Sequence, residues 1–377
     1  MRPRTAEPPL RPAPIVPPKP EAIDAAIERG VAFLLQHQNP NGSWGSIRNS
    51  TGMDVYAPVP GAHQAFRGAV TALCVSALIE VNSRRPEAEK AIERGEAWLM
   101  ENLPKVRRAE PDAIYNVWSH AYGIDGLVHM LRRTPDPARR EKIVGLIEGQ
   151  IDLLGRFETV DGGWGYYDFH AHTNKPSGDP NSFTTATVLV ALAEARDAGV
   201  AVPPKLVDRA IFQMHKQQNP DFTYLYSEGF WRRPQALINR PGGSLGRSQA
   251  GNLALRLWGD PKITDAVIET WLDRLFARNG WLDIGRKRPI PHESWFQVAG
   301  YFFYFGHYYA ALCIDQLPEN GRGPFQDQLA HILLPLQEKD GSWWDFPMFD
   351  YHQQYGTAFA LMSLERTLKA DGASTGH

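Results

Sequence analysis

Histidines stand at the start of several apolar helical stretches, where a side chain can reach a ligand held among the helices. They are His63, His120, His292 and His352, with His307 further along one stretch. Two have acidic neighbours, in His292-Glu293 and Asp350-Tyr351-His352. Because histidine titrates near neutral pH, a histidine beside a carboxylate suits acid–base chemistry. We therefore expect His292, Glu293, Asp350 and His352 to be catalytic, and His63, His120 and His307 to contact substrate, with hydrogen-bonded core histidines as the alternative.

The densest group of possible metal ligands lies in Asp168-Phe169-His170-Ala171-His172, with Asp179 seven residues further on. A His-x-His pair with nearby carboxylates can bind zinc or iron. The alternative is a solvated loop with two ordinary histidines. No cofactor is predicted, and a divalent metal at Asp168, His170 and His172 is left open.

Aromatic residues are concentrated in the run from Tyr301 to Tyr309. On a helix some of these rings share one face, and aromatic faces can stabilise a carbocation as they do other cations. We expect Tyr304 and the preceding Trp295 to line a substrate cavity, with a filled core as the alternative.

Basic residues precede this run in Gly285-Arg286-Lys287-Arg288, and Arg232, Arg233, Arg240 and Arg247 come earlier. Arginine binds carboxylates and phosphates through two parallel hydrogen bonds. Arg286 and Arg288 are therefore candidates for holding the polar head of a substrate, with plain surface charge as the alternative.

The composition excludes some classes of partner. The 377 residues are 43% hydrophobic, enough for a sizeable core, and the net charge of −2 gives no reason to expect a nucleic-acid partner. The two cysteines lie in apolar helical stretches and are expected to be buried thiols. No run approaches the ~18 to 20 apolar residues of a membrane span. A cytoplasmic protein is expected, with peripheral membrane contact left open and no protein partner identified.

Three segments are expected along the chain. Residues 1–20 are rich in Pro and Arg and lack the apolar region of a signal peptide, so they are predicted to be a flexible leader. Residues 21–368 are predicted to form one domain, and residues 369–377 a disordered tail.

A turn with the pattern Q-x3-G-S-W occurs near both ends of this domain, at residues 38–44 and 337–343. A middle copy at 158–164 has Glu for Gln, and a diverged copy runs from Gln218 to Tyr224. Each copy follows an amphipathic helical stretch and precedes a more apolar one. Repeats of this kind indicate one helical unit used several times.

Amphipathic and more apolar stretches alternate along the domain. The amphipathic ones include 140–157, 204–217, 263–277 and 325–337, and two near-copies around Ala26 and Ala91. The more apolar ones are 63–81, 115–132, 182–198, 245–258, 293–316 and 352–368. Because helices that are apolar nearly all round are buried, we predict an all-α fold, an (α/α)6 toroid of six outer–inner helix pairs around a central cavity. An open solenoid is the alternative. The loops 45–62, 165–181, 225–244 and 282–292 would share one end, the expected binding face.

The segment from Arg29 to Trp44, an Arg-Gly-x-Ala-Phe-Leu-Leu helix followed by Gln-x3-Gly-x-Trp, resembles the QW repeat of squalene and oxidosqualene cyclases. Protein prenyltransferase β subunits are similar in fold, and the chain length suits a single toroid of that kind. The resemblance implies a terpenoid cyclase or prenyltransferase toroid, an isomerase or transferase that holds isoprenoids in an apolar, aromatic-lined cavity.

Two signatures of these families are incomplete here. The cyclases protonate an alkene with an Asp-x-Asp-Asp motif before an inner helix, and near the matching place only Asp179 is acidic. The prenyltransferases bind zinc through an Asp-x-Cys pair and a later histidine, and here Ser294 and Gly356 stand at the Cys and His places.

The leading hypothesis is therefore an isoprenoid-handling enzyme in which Asp179, or the acid–base pairs at 292–293 and 350–352, replaces the usual acid. One alternative is a non-catalytic toroid that binds a lipid or a peptide. Another is a carbohydrate-active toroid with paired carboxylates. A cavity with few charges favours the first hypothesis, a filled cavity the second, and an open polar groove with two carboxylates the third.

Overall fold

The computed structural model describes residues 10–49, 57, 60–169 and 175–368. In chain order its helices are α1 (Pro20–Gln36), α2 (Gly61–Val81), α3 (Pro86–Asn102), α4 (Asn116–Arg133), α5 (Pro137–Phe157), α6 (Ser182–Asp197), α7 (Pro204–Gln217), α8 (Leu245–Leu257), α9 (Asp265–Ala277), α10 (Asn279–Asp283), α11 (Phe302–Asp315), α12 (Glu319–Leu333) and α13 (His352–Glu365). No β-strand occurs in these ranges, which confirms the predicted all-α fold.

Burial separates two kinds of helix. The outer helices α1, α3, α5, α7, α9 and α12 bury one stripe each, as α1 does with Ile27, Val31 and Leu34. The inner helices α2, α4, α6, α8, α11 and α13 are buried nearly all round, and α13 is buried at almost every position. Because the apolar surface of an inner helix needs neighbours on every side, these helices form the core.

The inner helices form a closed ring. Each packs against the next in chain order, and α13 returns to pack against α2. The first outer helix, α1, also packs against α13. The fold is therefore the predicted (α/α)6 toroid rather than an open solenoid.

The repeated turns fasten these layers together. The indole N–H groups of Trp44, Trp164 and Trp343 each donate to a carbonyl at the end of their own outer helix, at 2.8–2.9 Å. Their main-chain N–H groups donate to threonine hydroxyls of the following inner helices, at 3.0–3.1 Å. Each turn therefore sets the distance between the outer and the inner helix of one pair.

The glutamines of the two best-matched turns reach the next pair. Gln38 Nε2 donates to the carbonyl of Ala91 in α3 at 2.8 Å. Gln337 Nε2 donates in the same way to Ala26 in α1 at 2.9 Å. The last turn is thus hydrogen-bonded to the first outer helix, and this contact closes the outer layer of helices.

Three segments differ from the prediction. The fifth inner helix begins at Phe302 instead of 293, because the preceding segment contains residues with positive φ, including Phe296 and Gln297. The last outer helix begins at Glu319 and carries Pro324 inside it. Short α10 was not predicted.

Residues 10–19 of the Pro-rich leader lie extended, with Pro12, Ile15 and Pro18 less exposed than their neighbours. This three-residue spacing is typical of a polyproline II helix with one face against a surface. Gln328 Nε2 in α12 donates to the Ala13 carbonyl at 2.9 Å. The tail at 369–377 lies outside the described residues.

Side chains fill the centre of the ring, where the sequence predicted a cavity. Tyr309 of α11 donates to the Thr187 hydroxyl of α6 at 3.0 Å, and Tyr122 of α4, on the opposite side of the ring from α11, lies near the Tyr309 hydroxyl. The Tyr122 ring also contacts Phe359 of α13, with centroids 5.8 Å apart. Large aromatic side chains on opposed helices reach one another, so little room is left between them.

Among the described helices, Gly61–Val81 is long and apolar enough to cross a membrane by length and composition alone. It is the inner helix α2, and 72% of its apolar window is buried. The core of the ring accounts for its composition.

Candidate active site at the mouth of the ring

We call the end of the ring at which the inner helices begin the mouth, and the opposite end the far end. At the mouth, four side chains form the tyrosine–histidine chain: Tyr166, Tyr226, Tyr301 and His292. Tyr166 and Tyr226 share a hydrogen bond, Tyr226 and Tyr301 hydroxyls are 3.3 Å apart, and Tyr301 OH is 3.0 Å from His292 Nε2. These residues come from three different loops, which precede the consecutive inner helices α6, α8 and α11, and the packing of these helices side by side brings them together.

The hydrogen bonds define the state of the histidine. His292 Nδ1 lies 2.9 Å from the carbonyl of Gln297, which can only accept, so Nδ1 carries the proton. In the neutral ring Nε2 is then the acceptor, and Tyr301 donates to it. Burial lowers the pKa of His292, and the nearby Arg247 lowers it further. His292 is therefore a neutral base at pH 7, in contact with a phenol.

Arg247 lies directly behind this chain. It is 1% exposed, and its guanidinium stands 5.4 Å from the ring centre of Tyr226 and 5.3 Å from that of Phe302. Its Nη atoms donate to the carbonyls of Gly243, Tyr224 and Ile238. Within the described ranges it has no carboxylate partner. Burial lowers its pKa to about 10, so it remains charged at neutral pH.

The charge of Arg247 acts on the phenols. Burial raises the pKa of Tyr226 and of Tyr301 well above the usual range, and Arg247 opposes that rise. A buried cation without a counter-ion is costly. Here it would stabilise negative charge that develops on the chain or on a bound molecule.

The chain is accessible from outside, but the ring below it is closed. Tyr166, Tyr226, Tyr301 and His292 are partly exposed, whereas Phe183 and Phe302 beneath them are buried. The Phe183 ring packs against Tyr226 at 5.1 Å and Phe302 at 5.0 Å between centroids. The chain therefore lies, partly exposed, above a closed layer of aromatic side chains.

A second polar pair lies beside it. Asp345 is fully buried and accepts from Tyr355 OH at 2.6 Å and from the Tyr304 main-chain N–H at 2.9 Å. Burial raises its pKa to about 6. The next residue, Phe346, contacts the Tyr301 ring at 5.3 Å. Asp345 is thus a weak buried acid one side chain away from the tyrosine–histidine chain.

Among the histidines predicted to contact substrate, His63 lies near the mouth, with Nδ1 3.2 Å from Tyr351 OH. His120 faces outward, because its Nδ1 bonds Gln150 of the outer helix α5 at 2.8 Å. His307 is fully buried and binds the Phe303 carbonyl of its own helix at 2.7 Å. Burial lowers the pKa of both His120 and His307 to about 4. The expectation that they face the cavity is wrong for His120, whose position on α4 turns it toward α5.

The predicted acids are dispersed. Asp179 is exposed and accepts from the Gly229 N–H at 2.7 Å, and Glu293 is exposed beside His292. Asp350 accepts a hydrogen bond from Ser46 Oγ at 2.9 Å. His352 binds the Phe349 carbonyl at 2.7 Å rather than Asp350. Only His292 of this set joins the tyrosine–histidine chain.

The other predicted side chains lie apart from the tyrosine–histidine chain. Arg286 is paired with Asp283 at 2.5 Å, and Arg288 is exposed. Trp295 is 62% exposed. Tyr304 is buried, and its hydroxyl has no hydrogen-bond partner among the described residues. None of these four contacts the chain.

The metal candidates are only partly described. Asp168 is buried and forms an ion pair with Arg108 at 3.1 Å. His170 and His172 lie outside the described residues. In the rest of the structure no group of three or more His, Cys, Asp or Glu side chains is arranged to hold a metal.

Tyr166 and Tyr226 were not identified from the sequence. Each comes two residues after the last residue of its turn, in Trp164-Gly165-Tyr166 and Tyr224-Leu225-Tyr226. Asp345 holds the same place after Trp343. The second position after each turn is the sequence signal that could have identified these residues, because the chain leaves the turn there and enters the mouth.

Comparison with known proteins identifies the fold but no family. No protein-family model matches the chain, and no curated protein matches it. The type II terpene cyclase MstE from Scytonema is 14% identical over 92% of this chain and 98% of its own, with a TM-score of 0.51. A D-mannose isomerase is 14% identical over 93% and 98%, with a TM-score of 0.57. Cellobiose 2-epimerase from Spirochaeta thermophila is 13% identical over 93% and 98%, also at 0.57.

These neighbours share the α/α toroid and differ in chemistry. At such low identity the likeness shows the architecture alone. The class that fold and site define is therefore an α/α toroid with a polar, aromatic site at its mouth.

Proposed function

We propose that this toroid is an enzyme that moves a proton on a saccharide bound at the mouth, as an isomerase or epimerase does. The observation that carries the proposal is the hydrogen-bonded chain from His292 Nε2 to the hydroxyls of Tyr301, Tyr226 and Tyr166. It combines a neutral base, several hydroxyl donors and a buried cation behind them.

In this proposal a bound open-chain sugar displaces the Tyr301 hydroxyl from His292 Nε2. The freed Nε2 then takes a proton from the carbon next to the sugar carbonyl. A phenol of the chain donates a hydrogen bond to the carbonyl oxygen as negative charge develops there. The charge of Arg247 stabilises that oxyanion through Tyr226. The imidazolium formed at His292 exchanges this proton with solvent. Return of a proton to the former carbonyl carbon, with the hydroxyl proton of the first carbon passing to the former carbonyl oxygen, gives an isomer. Return to the other face of the first carbon gives an epimer, and neither route involves net oxidation.

The shape of the site supports a saccharide over a long isoprenoid. Aromatic side chains close the ring beneath the chain, so a long apolar substrate has no central cavity to enter. Phenol hydroxyls can match sugar hydroxyls, and the aromatic rings can pack against the apolar face of a sugar. No carboxylate of the described residues is bonded to the chain, so the two-carboxylate mechanism of glycosidases is not the version we propose.

Proton exchange in heavy water tests the proposal. Mannose, glucose, fructose, cellobiose and galacturonate are incubated with the protein in D2O, and deuterium at the carbon next to the carbonyl is followed by NMR. We expect exchange with at least one sugar. His292→Gln and Tyr301→Phe should each slow it about 100-fold or more, because each removes a proton-transfer group.

His331→Gln is the matched control, because His331 is exposed on the outer helix α12. It should exchange at the wild-type rate. The absence of exchange with every sugar, or unchanged exchange in His292→Gln, would refute the proposal. Sugar binding without exchange would instead support the non-catalytic hypothesis.

An isoprenoid substrate remains the second candidate, supported by the aromatic rings that line the mouth. Phe183 alone contacts Trp118, Tyr166, Tyr226 and Phe302. Such ring faces could stabilise a carbocation. Incubation with squalene and with polyprenyl diphosphates, followed by mass spectrometry of the organic extract, tests it. A new product would favour this candidate over the saccharide.

A further inference from the structure

Two loops beside the tyrosine–histidine chain expose an unusual combination of residues. Trp231 is 60% exposed, Trp295 is 62% exposed, and Leu237 is exposed as well. The short helical turns that carry Leu237 and Trp295 pack against each other. We call the surface formed by residues 228–240 and 288–297 the rim.

The rim is rich in arginines without acidic partners. Arg232, Arg233, Arg240 and Arg288 are exposed, and none forms an ion pair within the described part of the chain. The Arg232 guanidinium lies 5.3 Å above the ring of Trp231. Arginines on the outer helices behave differently: Arg132 binds Glu194, and Arg209 binds Glu158. Acidic groups are also present, since Glu293 lies within the rim and Asp179 accepts from the Gly229 N–H. The four arginines outnumber them, and Glu228 is paired with Lys216 of α7, so the rim keeps a net positive charge.

The rim is continuous with the candidate site. The ring of Phe230, next to Trp231, contacts Tyr226 at 6.2 Å, and the Tyr226 ring contacts His292 at 5.1 Å. Asn239 accepts from the Tyr226 N–H at 2.8 Å and donates to the Arg233 carbonyl at 3.2 Å. A molecule bound at the chain that extends outward would meet the arginines and exposed tryptophans.

We infer that the rim recognises carboxylate groups of an acidic saccharide, so that the substrate is a uronate or a uronate-containing oligosaccharide. This inference rests on the proposed function and names its substrate class. Arginine binds carboxylate through paired, charge-assisted hydrogen bonds. Tryptophan offers a flat apolar face against which a sugar ring can pack. The combination suits a ligand that is both sugar and anion.

Binding of matched trisaccharides tests the inference. Trimers of galacturonate, glucuronate and mannuronate are compared with mannotriose and cellotriose by titration calorimetry. We expect at least one uronate trimer to bind about tenfold or more tightly than both neutral trimers, and this preference to weaken as salt is raised. The triple variant Arg232→Gln, Arg233→Gln, Arg240→Gln should lose the preference, and Trp231→Ala should weaken binding of the same trimer.

A charge-matched triple variant provides the control. Arg84, Lys205 and Lys262 are exposed where inner helices lead into the next outer helices, away from the rim. Their replacement by Gln removes the same charge and should leave the preference unchanged. Equal loss in both triple variants would mean a general effect of net charge and would overturn the inference.

Two further outcomes would overturn it. The first is no preference for any uronate over the neutral trimers. The second is binding of phosphatidylglycerol vesicles, abolished by the rim variant, without binding of uronates, which would make the rim a lipid-docking surface. Titrations on His292→Gln separate this inference from the proposed function. Uronate binding that persists there, with no proton exchange in the wild type, would keep the inference and discard the function.

Discussion

His292 lies on a segment with an unusual backbone. Lys287, His292, Phe296 and Gln297 have φ values of 64°, 64°, 57° and 56°. A residue other than glycine pays about 1–3 kcal/mol of conformational energy in the left-handed region. Such residues occur where the surrounding structure fixes that conformation. Here the bond from His292 Nδ1 to the Gln297 carbonyl closes the segment on itself. Four of the eight non-glycine residues with positive φ among the described residues therefore lie in the segment that presents the proposed base.

The pH dependence of exchange follows from the environment of His292. Burial and Arg247 lower its pKa below 6.5, so its neutral form persists to lower pH and exchange should fail only as pH drops through that lowered value. Tyr226, Tyr301 and Arg247 face it. In Arg247→Gln the acid limb of kcat/KM should move to higher pH, because a positive charge no longer opposes protonation. Measured pH–rate profiles check this.

Arg247→Lys is the control for that change, because it keeps the charge while losing the planar contacts to three carbonyls. Its acid limb should stay near that of the wild type even if the rate falls. Equal shifts in the Lys and Gln variants would show that Arg247 acts through loop structure alone.

At the scale of elements, glycines in the outer helices allow the turns to approach closely. A Cβ on Gly30 of α1 would lie 2.8 Å from the Trp343 ring and 2.9 Å from Leu361. A Cβ on Gly95 of α3 would lie 2.6 Å from Val75 and 3.0 Å from the Trp44 ring. The tryptophan of one unit therefore packs on the glycine of the next, and the last unit packs on the first.

Gly30→Ala should lower the free energy of unfolding by about 1–3 kcal/mol, because the methyl group overpacks the contact that closes the ring. This loss exceeds the gain of up to about 1 kcal/mol from helix propensity. Gly145→Ala in α5 is the matched control, since a Cβ there meets nothing within 4 Å. It should raise stability by about 0.5–1 kcal/mol. Urea unfolding of both variants checks this, and equal effects would contradict it.

At the scale of the whole molecule, a buried charge network ties the inner helices at the far end. Glu80 of α2 binds His129 of α4 at 2.8 Å and also Arg366 after α13. Arg366 in turn binds Asp315 of α11 at 3.0 Å. Other acidic groups that act on this network are Asp125, Glu194 and Glu365. Opposite charges on four inner helices, or just beyond their ends, thus meet at the far end of the ring. The repeated turns lie at the mouth and do not stabilise this end.

This network should make stability depend on pH in both directions. Burial lowers the pKa of His129, but Asp125 and Glu80 raise it to about 9. Protonated His129 therefore contributes fully to the free energy of unfolding below pH 6.5, and this contribution is lost as pH rises through 9. Burial raises the pKa of Glu80 but Arg366 and His129 lower it to about 2, so its contribution is full above 4.5 and is lost toward pH 2. Glu80→Gln should cost about 3–5 kcal/mol near pH 6, and less at both extremes.

Urea unfolding of the wild type and Glu80→Gln across pH 3–9 measures that difference. Glu28→Gln is the control, because its pair with Arg85 is exposed and should contribute about 1 kcal/mol or less. A difference between wild type and Glu80→Gln that stays constant with pH would show that the network does not titrate as inferred.

The sequence determined most of the architecture. Hydrophobic periodicity is local, so the outer stripe of Ile27, Val31 and Leu34 and the nearly continuous burial of α13 could be predicted without knowing what they pack against. The turns at 38–44 and 337–343 predicted closure because the first and last units carry the best-matched copies and neither end shows a polar capping repeat.

Only the tertiary structure decided the site. Tyr166, Tyr226 and His292 lie on separate loops, and their hydrogen bonds exist because α6, α8 and α11 pack side by side and bring those loops to one place. His120 and His292 looked alike in sequence, yet His120 lies on α4 and faces Gln150, whereas His292 lies in the non-helical segment before α11. The filled centre likewise depends on Tyr122 meeting Tyr309 from the opposite helix. Contacts between distant segments depend on three-dimensional packing, which local patterns in the chain do not encode.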